Sequence, residues 1–169
     1  MERRNSKPRE KEYNETVISV NRVTKVTKGG RRLRFAATVA VGDGKGKVGL
    51  GTGKANEVQD AIKKAVQDAT NRIIKIDLVE QRTVSHDAIG VAGAAKVLIK
   101  PAKAGTGIIA GGSVRAILDL AGIRDVVSKS LGARTKLNMA RAAMNALKSI
   151  KTAEQVAALR GKTVEEILG

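Results

Sequence analysis

The chain has 169 residues and carries 32 Lys or Arg against 16 Asp or Glu, which gives a formal net charge of +16. A charge this large opposes compaction by self-repulsion, and a polyanionic partner relieves it. The sequence contains no cysteine and one histidine, which excludes a disulfide framework, thiol chemistry and a histidine-based metal site. Because of the net charge of +16, we expect the partner to be a nucleic acid.

The positive charge is concentrated in two segments. Residues 1–54 carry a net charge of +9 and residues 81–150 a net charge of +8, whereas residues 55–80 carry −1. Tyr13 and Phe35 are the only aromatic residues, so contacts to a nucleic acid should go to its backbone and not to stacked bases. Because no secretory signal and no membrane-length apolar run is visible, we expect a cytoplasmic protein without a membrane partner.

The N-terminal half has the pattern of a small α+β domain over residues 16–74, preceded by a charged, disordered arm over residues 1–15. Short β-branched stretches separated by turns predict three strands, over residues 16–26, 33–41 and 47–51. Residues 58–73 then place apolar side chains at three- and four-residue spacing, as an amphipathic helix does. On its outer face we expect two i,i+4 ion pairs: Asp60 with Lys64, and Asp68 with Arg72.

The C-terminal half alternates strands and helices, which predicts a second α+β domain over residues 75–150. Strands are predicted over residues 73–79, 83–91, 96–100 and 123–131. Ser113 and Thr135 have the residue type and position of N-caps for two helices. Residues 151–169 contain two capping-box patterns, Thr152–Gln155 and Thr163–Glu166, which predict two short tail helices.

Cations cluster around the first predicted turn. Lys25, Lys28, Arg31, Arg32 and Arg34 flank the glycine pair at positions 29 and 30, a pattern that favours contact with phosphates. The glycine-rich, basic stretch from residue 30 to residue 54 is typical of a backbone that approaches phosphates closely.

Two glycine motifs leave a nucleotide-binding enzyme open as an alternative. Residues 44–49 fit G-x-G-x-x-G, and residues 105–110 fit the G-x-G-x-x-A variant, with Asp125 at the position of a ribose ligand. The first motif leads into a predicted strand, and the second is separated from its helix by Gly111 and Gly112. The loop over residues 105–112 therefore either needs backbone freedom alone or approaches a partner, RNA or protein, closely.

Three stretches carry a specific resemblance. NRVTKVTKGGRRLRFAATVAVGDGKGKVGLGTGKA, over residues 21–55, closely resembles the N-terminal domain of the fifth protein of the bacterial small ribosomal subunit. PAKAGTGIIAGGSVRAILDLAGI and LRGKTVEEILG resemble its C-terminal domain and tail, in the same order. The resemblance implies a domain like a double-stranded-RNA-binding domain followed by an α+β domain of a type shared with unrelated proteins, including some kinases.

The resemblance also implies roles for particular residues. The first hairpin loop, residues 24–32, reaches small-subunit rRNA in this family, and Thr24, Lys25 and Val26 lie beside the spectinomycin site. Gly105, Gly107 and Arg115 correspond to the surface that meets the fourth small-subunit protein, and the tail contacts the eighth. The expected rRNA-binding residues are Arg22, Lys25, Lys28, Gly29, Gly30, Arg31, Arg32, Arg34, Lys45, Lys47 and Lys54.

The expected function is that of a structural, non-enzymatic constituent of the small ribosomal subunit in the cytoplasm. Such a protein binds rRNA, supports assembly and contributes to translational accuracy. No catalytic residue, cofactor, metal ion or small-molecule substrate is expected. The alternative remains a small nucleotide-binding enzyme that uses the loop over residues 105–112.

Overall fold

A computed structural model describes the backbone of residues 13–168 and the side chains of residues 13–167. Within these residues the chain forms two α+β units followed by two short helices. The first unit contains β1 (Asn14–Thr27), β2 (Gly30–Gly42), β3 (Lys47–Ala55), α1 (Val58–Asn71) and β4 (Ile74–Lys75). The second contains β5 (Ala88–Ala92), β6 (Ala95–Pro101), β7 (Ile108–Ile109), α2 (Gly112–Leu120), β8 (Val126–Ser130) and α3 (Lys136–Ser149). The last two helices are α4 (Ala153–Arg160) and α5 (Val164–Leu168).

The α+β fold class predicted from the sequence is confirmed by this architecture. Residues 1–12 of the predicted disordered arm lie outside the described residues, and Asn14 and Glu15 already belong to β1.

The first unit is an antiparallel sheet in the order β1-β2-β3-β4, with α1 packed on one face. Alternate residues of β3 on that face are Gly49, Gly51 and Gly53, and each lies against the backbone of α1. A Cβ atom on Gly51 would collide with the backbone of Ala65 and Ala69. These three glycines therefore let helix and sheet approach closely, and the interpretation that they approach phosphates is wrong.

The other face of the first sheet packs against the second unit. Ala40 of β2 and Val48 of β3 are fully buried in one core cluster with Leu118 and Ile123. The first sheet is thus covered on one face by α1 and, over part of the other, by α2. The two units therefore share one hydrophobic core.

The turn between β2 and β3 joins the two units through backbone hydrogen bonds. The amides of Gly44 and Gly46 donate to the carbonyls of Leu120 and Ala121, both at 2.9 Å, at the C-terminal end of α2. Gly44 and Gly46 have positive φ values of 68° and 96°, which glycine adopts at little cost. Helix ends leave carbonyls without an intrahelical partner, and this turn supplies two donors to them. The motif at residues 44–49 therefore belongs to the joint between the units.

The second unit is a sheet in the order β5-β6-β8-β7, in which β7 runs parallel to β8 and the other pairs are antiparallel. Helices α2 and α3 cover one face, where Gly90 lies against the α3 backbone at Ala142 and Ala146. The opposite face carries Ile89 and Val91, which are exposed.

Three of the predicted strands are shorter in the structure than predicted. The stretch predicted as a strand over residues 73–79 forms only the two-residue β4, because Ile76 is buried in the shared core and its amide donates to the Gly46 carbonyl at 2.7 Å. A turn with Glu80 and Gln81 at positive φ follows, so the next strand begins at Ala88 and not at residue 83. The strand predicted over residues 123–131 is limited to β8, residues 126–130.

The helix caps agree only in part with the sequence predictions. The N-cap of α2 is Gly111, in an extended conformation, so the prediction of Ser113 is wrong: Ser113 lies inside the helix and is buried. Thr135 occupies the N-cap of α3, but its side chain makes no capping hydrogen bond. The capping box of α4 between Thr152 and Gln155 is confirmed.

One of the two ion pairs predicted on α1 is confirmed. Asp68 pairs with Arg72, with 3.0 Å between the carboxylate oxygen and Nε. Asp60 instead lies 3.9 Å from Lys63, one position earlier than the predicted Lys64. Both Asp60 and Lys63 are exposed, so this pair adds little stability.

Asp125 fastens the loop between β6 and β7 to the sheet. Its carboxylate accepts the Gly107 amide at 2.9 Å and the Arg82 guanidinium at 3.3 Å, while Thr83 donates its hydroxyl to the Asp125 carbonyl at 2.7 Å. The Gly107 amide and the nearby Arg82 hold the pKa of Asp125 below its ordinary value of 3.8. The carboxylate that matches the ribose position of a nucleotide site is thus committed to internal bonds.

We predict that Gly51→Ala destabilises the folded protein, because the added methyl group forces α1 away from β3. Overpacking of this kind costs about 1–3 kcal/mol. The matched control is Gly29→Ala, since a Cβ at Gly29 meets nothing within 4 Å. Urea denaturation of both variants measures the difference; equal unfolding free energies would show that α1 does not depend on the glycine.

We predict that Asp125→Asn destabilises the protein more at pH 7 than below pH 4. Because folding lowers the pKa of Asp125 from 3.8, the carboxylate stabilises the folded state above that value. This stabilisation is lost as the pH falls through the lowered pKa of Asp125. The unfolding midpoints of the variant and of the unmodified protein should therefore approach each other at low pH. A difference that is independent of pH would contradict this account. Asp60→Asn, at an exposed position, should change the unfolding free energy by under about 0.5 kcal/mol at pH 7.

Candidate nucleic-acid interface

A two-stranded arm extends beyond the rest of the first sheet. The pairing of β1 with β2 continues to Thr27 and Gly30, whereas β3 pairs with β2 only from Phe35 onward. We call residues 23–34 the arm. At about 3.3 Å per residue, its five cross-strand pairs extend roughly 15 Å from the sheet.

The arm carries five cations and no Asp or Glu: Lys25, Lys28, Arg31, Arg32 and Arg34. All five side chains are exposed. Within residues 13–168, no carboxylate forms an ion pair with any of them. The cluster that the sequence predicts around one turn is therefore present, and its charge is not neutralised by the described part of the chain.

The cations lie on both faces of the arm. Lys25 lies directly opposite Arg32, and Arg34 follows on the same side of β2. Arg31 and, at the base of the arm, Arg22 lie on the other side, the one that continues into the α1 face of the sheet at Phe35. Like charges opposite each other in a sheet are destabilising, so Lys25 and Arg32 repel in the free protein.

The turn at the tip of the arm consists of Lys28 and Gly29. Gly30 has a φ of 136°, a conformation that other residues rarely adopt, whereas Gly29 has no positive φ. The Thr27 hydroxyl donates to the Gly30 carbonyl at 3.1 Å. Glycine is thus required by backbone conformation at position 30 and by neither conformation nor space at position 29.

Of the remaining predicted rRNA-binding lysines, Lys54 adjoins the arm, whereas Lys45 and Lys47 lie far from it. Lys54 lies opposite Ala36 at the base of the arm, on the same face as Arg34. Lys45 and Lys47 lie at the other end of β2, roughly 30 Å from the middle of the arm at 3.3 Å per residue. There Lys47 pairs with Lys75 across the β3–β4 ladder, a second like-charge pair.

The three residues predicted to contact a protein lie at the β6–β7 loop and the start of α2. Gly105 and Gly107 have φ values of 84° and 76°, so the loop conformation itself requires glycine there. Arg115 is exposed in the first turns of α2, and within the described residues neither Asp119 nor another carboxylate pairs with it.

The loop over residues 105–112 lacks the partners of a nucleotide site. The Gly107 amide and Asp125 bind each other, and β7 pairs with β8 inside the segment that the sequence indicates as a loop. Among the residues that the structure describes, no group of three or more His, Cys, Asp or Glu could hold a metal ion.

Folding also brings together a second group of cations, which was not predicted from the sequence. Arg72, Arg141 and Lys148 line a groove between α1 and α3. The first lies about seventy positions before the other two, so only folding brings them together. The one signal in the sequence is that α3, residues 136–149, contains no Asp or Glu.

No helix in the described part of the chain has the length and apolar character needed to cross a membrane.

Two family models match the chain in order. Residues 13–77 match the model described as ribosomal protein S5, N-terminal domain, and residues 90–160 match ribosomal protein S5, C-terminal domain. The first match contains the arm with α1, and the second contains α2, α3, α4 and the second sheet except for the first two residues of β5. Together the matches cover most of the sequence, and they confirm the resemblance of the two domains to the ribosomal protein S5 family; the tail beyond residue 160 lies outside them. The chain belongs to the ribosomal protein S5 family.

Proposed function

We propose that this chain, a structural rRNA-binding protein of the small ribosomal subunit, contacts the rRNA backbone through its arm. The observation that carries the proposal is the pair of Lys25 and Arg32, which lie opposite each other on an exposed arm without a carboxylate. A phosphate between or beside the two side chains turns their repulsion into attraction. In the complex, the rRNA phosphates supply the negative charge that the arm lacks in the free protein.

The proposed contacts carry no base readout. Lys and Arg neutralise phosphates and release condensed counterions, which gives affinity that falls steeply with salt. Such contacts fix the position of the protein on the RNA without reading its sequence. Because cations lie on both faces of the arm, we propose that it enters between two rRNA elements and does not lie flat on one.

The β1 strand of the arm contains the residues that the family resemblance implies beside the spectinomycin site. Thr24, Lys25 and Val26 lie opposite Leu33, Arg32 and Arg31. The side chain of Val26 is 73% exposed, so little packing holds this part of the arm. We propose that substitutions at these three positions alter the spectinomycin site by moving the arm.

The surface at Gly105, Gly107 and Arg115 is proposed as the contact with a neighbouring ribosomal protein, the fourth of the small subunit. A cation in the first turns of a helix lies near the positive end of the helix dipole, where its own helix does not favour it. Its placement fits an acidic partner outside the chain. The tail helices α4 and α5 are proposed to contact the eighth protein, and the whole assembly to influence decoding accuracy.

The nucleotide-binding alternative is disfavoured by the position of Asp125. Its carboxylate holds the Gly107 amide and Arg82, so the acidic group and one loop amide are both used within the fold. We propose a non-enzymatic role. Calorimetry with ATP and NAD at millimolar concentration, where a Kd near 1 mM still registers, tests it.

For the arm we predict opposite effects on stability and on binding. Arg32→Ala removes one partner of a like-charge pair, so the free protein should keep its stability or gain about 0.2–1 kcal/mol. The same change should weaken binding to small-subunit rRNA and reduce the slope of log K against log salt by about one. Lys28→Ala and Arg31→Ala should reduce the slope similarly.

The control for the arm is Lys129→Ala, an exposed cation on the open face of the second sheet, which should leave the slope unchanged. Unchanged slopes for all three arm variants would remove the arm from the rRNA-binding surface.

For the protein contact we predict that Arg115→Leu leaves the unfolding free energy within about 0.5 kcal/mol, as surface changes usually do, but raises stop-codon readthrough. The reason is that a contact outside the chain is lost while the helix is not. Lys96→Leu, at an exposed position on β6, should change neither quantity. Strong destabilisation with normal readthrough would make Arg115 a purely structural residue.

A further inference from the structure

The groove between α1 and α3 is built from both units of the fold. It has a volume of about 320 Å³ and is lined by Leu50 and Thr52 of β3, by the end of α1 and by one side of α3. Since the two units share a core and backbone hydrogen bonds, the walls of this groove have a fixed relation to each other. We call it the interdomain groove.

The interdomain groove is cationic. Arg141 and Lys148 lie seven residues apart, two turns of α3, and therefore on the same side of the helix. Both are exposed, and neither has an ion pair within the described residues. Arg72 adds a third cation from the opposite wall.

The one carboxylate in the groove is already occupied. One oxygen of Asp68 accepts the Thr52 amide at 3.0 Å, and the other lies 3.0 Å from Nε of Arg72. Asp68 thereby orients the Arg72 guanidinium, whose terminal Nη groups bond no described residue. The Asn145 side-chain Nδ2 donates one hydrogen bond to the Val91 carbonyl at 2.9 Å. The groups left to a ligand are chiefly cationic donors.

The groove lies on the same face of the first sheet as Lys25, Arg32 and Arg34 of the arm. Lys54 lies opposite Ala36, Thr52 opposite Thr38 and Leu50 opposite Ala40, and this face continues outward to Arg34 and Arg32. From Arg32 to the position opposite Thr52 the distance along β2 is about 20 Å at 3.3 Å per residue. The arm and the interdomain groove are therefore two ends of one cationic face.

We propose that the interdomain groove is a second binding site for the RNA backbone, which takes phosphodiester groups of a strand that also contacts the arm. A phosphodiester accepts hydrogen bonds and carries the negative charge that unpaired Arg and Lys side chains require. An acidic protein segment could match the charge, but the continuity with the arm favours RNA. The site places the two units of the fold on one RNA element.

Because the chain has no cysteine, a single introduced cysteine gives a unique attachment point for a chelated iron that generates hydroxyl radicals. We would attach it at Asn71→Cys, at the end of α1 beside Arg72, at Gly29→Cys on the arm tip and at Lys129→Cys on the open sheet face, in reconstituted small subunits. The proposal expects rRNA cleavage from positions 71 and 29, and none from position 129. Cleavage from position 29 without cleavage from position 71 would overturn the groove site, and absence of both would overturn the arm as well.

A charge-removal experiment tests the same site by binding. Arg141→Gln with Lys148→Gln should lower the salt slope for small-subunit rRNA by about 0.7–0.9 per lost cation. The matched control is Lys100→Gln with Lys129→Gln, which removes two exposed cations from the other side of the second sheet. Urea denaturation of both double variants checks that folding is retained. Equal slopes for the two double variants, or a protein neighbour crosslinked in the groove instead of RNA, would overturn the proposal.

Discussion

The joint between the β2–β3 turn and the end of α2 determines how the two units of this fold are placed. The amides of Gly44 and Gly46 donate to the last carbonyls of α2, and a Cβ on Gly122 would collide with the Gly44 backbone. Buried helix ends need partners for their carbonyls, and here those partners come from the other unit. The end of β2 opposite the arm is consequently held at a fixed position relative to α2.

Much of the fold follows from local patterns in the sequence. The strands of the arm, the helix after residue 57 and the capping box at Thr152 were predictable, because each depends on residues close in sequence. The alternation of Gly49, Gly51 and Gly53 also contained a packing signal, since Ala61, Ala65 and Ala69 repeat at helical spacing on the facing helix. In the sequence, these glycines stand beside lysines, a pattern that favours phosphate binding. That interpretation was wrong because the glycines pack against α1, which the local sequence does not show.

The rest depended on contacts between distant residues. Ile76 leaves the sheet because the shared core buries it, and nothing near position 76 in the sequence indicates that burial. Asp125 binds Gly107 and Arg82, so a carboxylate at the spacing of a nucleotide motif serves the fold. The interdomain groove could not be predicted either, because Arg72 and Arg141 belong to different units and only folding brings them together.

The central proposal is that the unpaired cations of the arm, which carries no Asp or Glu, bind the rRNA backbone. The most direct measurement is a cryo-electron microscopy reconstruction of the small ribosomal subunit that contains this chain. The account predicts phosphate oxygens about 3 Å from the side-chain nitrogens of Lys25 and Arg32, the distance of charge-assisted hydrogen bonds. An arm whose cations face solvent or a protein surface in that reconstruction would contradict it.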